Sequence, residues 1–248
     1  MHYIKLVYRS GLLLAALVLY VINRVQKTGK LFGGVENDPI ILMIVLLVFV
    51  VEMVLRFFPD RIESMGCQKQ FAINYRPARP FDEDARKRLH RGVGATVAAW
   101  LALNGAIGAL YFLYVIDAGI LLLISLAYSV CDMVCILFFC PFQTWFMKNK
   151  CCTTCRIYNW DYAMMFTPLV FIRSWYCQVL AALAFVLLIQ WEVLVHLHPQ
   201  RFSEESNSCL ACGNCKEKLC SHKTQLRHFW QRNREYLQAK SSEIFRKK

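Results

Sequence analysis

Residues Val93–Cys140 read VGATVAAWLALNGAIGALYFLYVIDAGILLLISLAYSVCDMVCILFFC, a stretch that holds two carboxylates, Asp117 and Asp132, and neither lysine nor arginine. Divided at Asp117-Ala118, it gives two apolar runs, Val93–Ile116 and Gly119–Cys140. Each has the roughly twenty residues a helix needs to cross a hydrocarbon core. A helix is the one open-ended element that satisfies its own backbone there. So short a link forces the two to run antiparallel, and the stretch specifies a helical hairpin in a bilayer. Gly94, Ala98, Ala102 and Ala106 form a ridge of small residues, with Gly105 and Gly108 beside it, which predicts close helix packing.

The same pattern extends in both directions. Upstream, Ile4–Val25 is apolar, with Lys5 and Arg9 ahead of its core Leu12–Ile22. No small-residue cleavage site follows Val21, so this run is read as a retained signal anchor. Pro39–Phe58 opens on Asp38-Pro39, a helix-start signal, and closes at Phe58-Pro59. Downstream lies Trp175–Leu197. Ala163–Ile172 is apolar but only about half a bilayer thick; Pro168 interrupts it and Arg173 closes it, which predicts an interfacial or re-entrant piece. The fold class is therefore all-α: a polytopic membrane protein of about five spans over residues 1–198, followed by a basic, cysteine-rich tail over residues 199–248.

Composition agrees. The chain of 248 residues is 57% hydrophobic and 19% charged, against roughly 45–50% and 25% in soluble domains. An ordinary water-soluble enzyme and a disordered chain are excluded. The net charge of +12 needs no nucleic acid, because basic residues flank membrane spans on one side. With five spans, the N-terminus, the Pro59–Gly92 loop and the Pro141–Ser174 loop share one face, and that face carries most of the Lys and Arg. The positive-inside rule makes it cytoplasmic and locates the chain in the cell membrane. The tail after His198 then falls on the opposite face, although its eleven Lys and Arg against five Glu resemble a cytoplasmic segment. Within it, Lys223–Lys248 is helix-prone and basic, suited to a membrane surface. The short Phe81–Leu89 stretch reads as a helix with acids at its start and bases at its end, matching the helix dipole.

Chemistry is carried by cysteine. Of twelve cysteines, the tail holds Cys209-x2-Cys212-x2-Cys215-x4-Cys220, with His222 and His228 beyond. Four thiolates on a short loop suit one tetrahedral ion or one cluster. Successive two-residue gaps favour iron–sulfur, while the four-residue gap and the absence of a proline after Cys220 leave zinc open. Disulfides are a third reading for an extracytoplasmic tail. A second group, Cys140, Cys151, Cys152 and Cys155, gathers at the end of the fourth span, beside Lys148, Lys150 and Arg156, whose charges favour thiolates. The vicinal pair Cys151-Cys152 also suits redox chemistry or acylation. Cys131 and Cys135 are read as small membrane-buried residues. On these spans the two groups stand across a core of about 30 Å and bind independently.

Val134-Cys135-Ile136-Leu137-Phe138-Phe139-Cys140-Pro141-Phe142-Gln143, followed by Cys152-x2-Cys155, resembles the cysteine–proline helix end and the start of the cluster loop in polyferredoxin-type [4Fe–4S] integral membrane proteins. The resemblance spans about twenty residues. It departs in the four residues between Cys135 and Cys140, and it lacks the cysteines and the second Cys-Pro that would complete a cluster. It implies cytoplasmic iron–sulfur clusters, electron transfer and a redox partner.

Ionisable residues at membrane depth are functional candidates in their own right. Asp132 could form a polar patch with Tyr128, Ser129 and Cys131. Glu52 and Arg56, one turn apart, could pair. Glu192 lies late in the last span, where Trp191, His196 and His198 are expected to anchor at the interface. No nucleotide-binding glycine loop, Ser–His–Asp set or zinc-protease motif is present, so a stand-alone enzyme is not expected. The reading is a membrane protein with cysteine-ligated iron–sulfur or zinc centres, working in the lipid bilayer beside a redox or other membrane partner, with no nucleic acid involved. The alternatives are a zinc-stabilised scaffold and a small transporter using Asp132 and Glu52.

Overall fold

The computed structural model describes residues 2–26, 31–32, 39–58, 68–148 and 155–211, without the side chains of residues 39, 41 and 42. These residues form α1 (His2–Gln26), α2 (Pro39–Phe57), α3 (Glu83–His90), α4 (Val93–Phe112), α5 (Ala118–Leu137), α6 (Asp161–Phe166) and α7 (Trp175–Leu197). The described residues contain no strand, only an isolated bridge between Pro77 and Asn207. Four helices are long and apolar enough to cross a membrane: α1, the α3–α4 run Glu83–Phe112, α5 and α7. The tail from residue 212 and the segment 149–154 lie outside the described residues, and with them the surface helix expected over Lys223–Lys248.

Local chemistry sets the helix ends. Asp117 caps α5, its Oδ1 accepting from the Ile120 amide at 2.9 Å, and Asp82 caps α3 through the Ala85 amide at 2.7 Å. α4 stops at Phe112, short of Ile116, because Tyr114 turns the chain with φ +58°. α5 stops at Leu137, ahead of Cys140-Pro141, since a residue before proline avoids the helical region. A π-helical stretch, Phe142–Met147, follows. At the α3–α4 corner Gly92 has φ +72°, and a Cβ there would stand 2.2 Å from the Phe146 carbonyl oxygen, so only glycine fits.

α7 is the central helix. Cys177, Leu180, Ala184, Leu187, Trp191 and Val195 are buried along one line, at the spacing that makes one helix face. Trp191 lies inside, stacked on Phe71 at 6.0 Å and edge-on to Phe202 at 6.1 Å; the expected interfacial anchor is a core residue. α4 also turns the other way. Its buried face is Thr96, Asn104 and Gly108, while Gly94, Ala98, Ala102 and Ala106 are exposed. The small-residue ridge does not pack inside the bundle. α1 is peripheral, and its only buried residues are polar, Arg9 and Asn23. Lipid removes the hydrophobic drive between helices, so polar contacts at both ends hold it.

The ends of the bundle are defined by contacts. At the first end, Arg9 near the start of α1 reaches Glu52 late in α2 and Asp132 late in α5. At the second, Tyr20 late in α1 donates to Asp117 at 2.9 Å, at the start of α5. Residues 156–171 join these ends. Arg156–Trp160 and Thr167–Phe171 are 3-10 turns around α6. Arg56 at the first end pairs with Asp161. Phe171 packs edge-on to Phe112 at 5.9 Å, and a Cβ at Gly108 would stand 2.6 Å from the Phe171 ring. With rises of about 2.0 and 1.5 Å per residue, the segment extends at most about 29 Å, close to the roughly 30 Å of a hydrocarbon core. The piece expected to be interfacial or re-entrant, Ala163–Ile172, is instead the later part of a segment that runs from one end of the bundle to the other. Its freed carbonyls are satisfied by side chains: Ser125 donates to the Met165 oxygen at 2.6 Å, Thr167 to Ala163 at 2.6 Å and Gln178 to Ile172 at 2.9 Å.

Candidate functional site

Because the 156–171 segment traverses the bundle, α7 runs back toward the first end and delivers residues 198–211 there. Trp160 donates to Glu192 Oε1 at 2.7 Å, Arg156 pairs with the same carboxylate, and Gln190 donates to the Phe57 carbonyl at 3.3 Å. Arg201 donates twice to the Gln70 carbonyl, at 2.8 and 3.2 Å, and burial lowers its pKa. Asn207 donates to the Lys69 carbonyl at 3.1 Å, and the Ser208 amide donates to the Arg76 carbonyl at 2.9 Å. The result is a polar cap in which residues 68–82 and 198–211 are laced together.

This geometry corrects the expected separation of the cysteines. Cys209 Sγ lies 3.0 Å from the Asn74 carbonyl, in the loop that follows α2. Cys140 follows the end of α5, and Cys155 opens the 156–171 segment; Cys155 is buried with Met147 and Ile157 against Val93, Phe142 and Trp160. All three stand at the first end, not on opposite faces. Cys140 and Cys209 are half-buried, Cys135 is half-buried and Cys131 is exposed. Cys151, Cys152, Cys212, Cys215 and Cys220 lie outside the described residues. Among the described residues no group of three or more His, Cys, Asp and Glu side chains is arranged to hold a metal ion.

Beneath the cap is a cluster of buried charge. Arg9, 1% exposed, stands at its centre. Its Nη2 donates to Glu52 Oε2 at 2.8 Å, and its Nη1 donates to Asp132 Oδ2 and to the Ser129 carbonyl, both at 3.2 Å. Glu52 also accepts from Tyr8 at 2.6 Å and Tyr162 at 3.1 Å and pairs with Lys5 at 3.1 Å. Both carboxylates named from the sequence therefore meet on one guanidinium, that of Arg9, which the sequence sets ahead of the apolar core of the first span. Tyr128 instead packs on Trp100, ring centroids 5.0 Å apart, and Asp132 takes its partner from α1.

The pairing expected within α2 is replaced by pairing between elements. Arg56 donates to Asp161 Oδ2 at 2.8 Å and to Asn159 Oδ1 at 3.3 Å, with its guanidinium 5.5 Å from the Tyr162 ring centre. Asn159 in turn donates to Gln70 Oε1 at 2.6 Å, which ties the cluster to the cap. Asp161 Oδ1 is buried without a hydrogen-bond partner. Three cations (Lys5, Arg9, Arg56) face three carboxylates (Glu52, Asp132, Asp161), so the ionised cluster is neutral as a whole. Mutual compensation is what makes such burial tolerable.

Arg9 and Asp161 were the residues hardest to find from sequence. The available signal was the imbalance itself: intramembrane Glu52 and Asp132 each require a partner, and Lys5 and Arg9 are basic residues at the start of an otherwise apolar run. Comparison with protein families, curated proteins and solved structures finds no match for the chain.

Proposed function

We propose that this chain is an integral membrane protein with six crossings, carrying a cysteine-ligated metal centre on its cytoplasmic face. Five crossings are the helices α1, α2, α4, α5 and α7, and the sixth is the broken segment 156–171. An even number returns the tail to the side of the N-terminus. Its eleven Lys and Arg then join those of the 59–92 and 141–156 segments, and the other face keeps Arg24, Lys27, Lys30 and Arg173. The positive-inside rule is satisfied without the exception that five spans required.

The observation that carries the functional reading is the common position of Cys140, Cys155 and Cys209 at one end of the bundle. Cys151, Cys152, Cys212, Cys215 and Cys220 complete the two groups, and their spacing favours an iron–sulfur cluster over zinc. The centre serves electron transfer with a membrane or redox partner. The transporter reading has less support, because Glu52 and Asp132 are both engaged by Arg9.

Anaerobic purification of the full chain tests this. A broad visible absorbance that bleaches on reduction, with iron and sulfide in the protein, is the expected result. Colourless protein with stoichiometric zinc supports the scaffold alternative, and folded protein without metal overturns both. A reporter fused after Lys248 is expected to be active in the cytoplasm.

A further inference from the structure

The first end also carries a cleft of about 740 Å³ between the 75–81 segment, α3 and the last turn of α7. Arg79, Arg86 and His196 line it, with Phe81 and Leu197 as apolar walls, and among the described residues no carboxylate lines it. Glu83 pairs with Arg86 at 3.5 Å from one side while the Arg86 side chain remains 55% exposed. Asp82 is engaged as the α3 cap. α7 spans about 34 Å at 1.5 Å per residue, so its final residues stand at the level of the headgroups. Below the cleft, Val186, Ile189, Val193 and Leu197 are all about half-exposed or more and form one outward stripe of α7.

We propose that this cleft binds the phosphate of an anionic phospholipid from the surrounding bilayer, with an acyl chain lying along the Val186–Leu197 stripe. Two guanidiniums offer forked donors that match phosphate oxygens, and the imidazole adds a third donor. The charge of the cleft selects an anionic over a zwitterionic lipid. The stripe selects a lipid over a free ion, because a soluble phosphate gains nothing from it. The inference rests on the membrane reading and is independent of any metal.

The test uses full-length protein in detergent, titrated with dioleoylphosphatidylglycerol and read by native mass spectrometry. Saturable binding of the lipid is expected, with dioleoylphosphatidylcholine much weaker and inorganic phosphate unable to displace it. Arg79→Gln/Arg86→Gln should weaken binding about thirtyfold, the effect of two charges at an anionic headgroup. Unchanged affinity in that folded variant overturns the proposal, as does equal binding of the zwitterionic lipid. Displacement by inorganic phosphate also overturns it, leaving a site for a soluble anion. If the double variant does not fold, Arg79→Gln alone and a salt titration decide: binding must fall with both, and indifference to either overturns the proposal. A chain that needs neither detergent nor lipid would break the membrane reading beneath it. A chain that enters phosphatidylcholine nanodiscs but shows no preference for phosphatidylglycerol breaks this inference alone.

Discussion

The last two passages of the chain through the bundle solve one problem in opposite ways. α7 crosses as an unbroken helix of 23 residues and satisfies its own backbone. The 156–171 segment crosses as two 3-10 turns around a six-residue helix and relies on side chains, Ser125 of α5 and its own Thr167, for its carbonyls. The self-sufficient helix is free to be almost wholly apolar. The dependent one must be surrounded, and being surrounded lets it bring Asn159, Asp161 and Tyr162 into contact with Arg56 and Glu52. Irregular backbone at membrane depth is tolerated where protein encloses it, and here the enclosure and the buried charges are the same contacts.

The difference predicts a graded set of mutational effects, measured as unfolding free energy of the full chain in one detergent. Arg9→Met should be the most damaging, because it leaves Glu52 and Asp132 facing each other without their shared guanidinium. A loss of about 3–5 kcal/mol is expected for a broken buried pair, and a loss below 1 kcal/mol would mean that water reaches the cluster. Arg56→Met should cost nearly as much by stranding Asp161, whereas the double change Arg56→Met/Asp161→Leu should recover most of it. If the double variant is as weak as the single one, the pair acts through its other partners and not through its own charge balance.

Ser125→Ala probes the broken backbone itself by removing the donor to Met165, and about 1 kcal/mol should be lost. The control belongs to the continuous crossing. Val186→Ala on the exposed stripe of α7 should stay within about 0.5 kcal/mol. Equal costs at Ser125 and Val186 would erase the distinction between the two crossings.

Most helix limits were legible in the sequence, because proline, a capping aspartate or a cluster of charge marks them: α2 begins at Pro39 and α7 spans Trp175–Leu197, as the apolar runs indicate. The course of Ala163–Ile172 was not legible. Hydropathy measures length at the α-helical rise, and at that rise the run is half a bilayer; 3-10 turns and the polar residues before it supply the rest. That single step brings Cys209 to the end that holds Cys140. For the charges, spacing within one helix finds only local partners. Glu52 lies 43 residues from Arg9, and Asp132 lies 123 residues from it, so their convergence depends on topology. The small-residue ridge failed for a related reason: α4 turns its Thr96–Asn104–Gly108 face inward, and one helix's pattern does not say which face meets the bundle.

On the six-crossing reading proposed above, the broken segment also imposes an order on biogenesis. Carrying Arg156, Asn159 and Asp161, and with Pro168 within its apolar half, the 156–171 segment is too polar and too short to partition into lipid on its own. Arg56, Glu52 and Ser125, which engage Asp161, Tyr162 and the Met165 carbonyl, are synthesised before it, whereas Glu192 and Gln178, which engage Arg156 and the Val170 carbonyl, follow on α7. On that reading its insertion begins as docking onto α2 and α5 and is completed when α7 supplies Glu192 and Gln178. Until it docks, the residues after Leu197 cannot reach the cap that receives them.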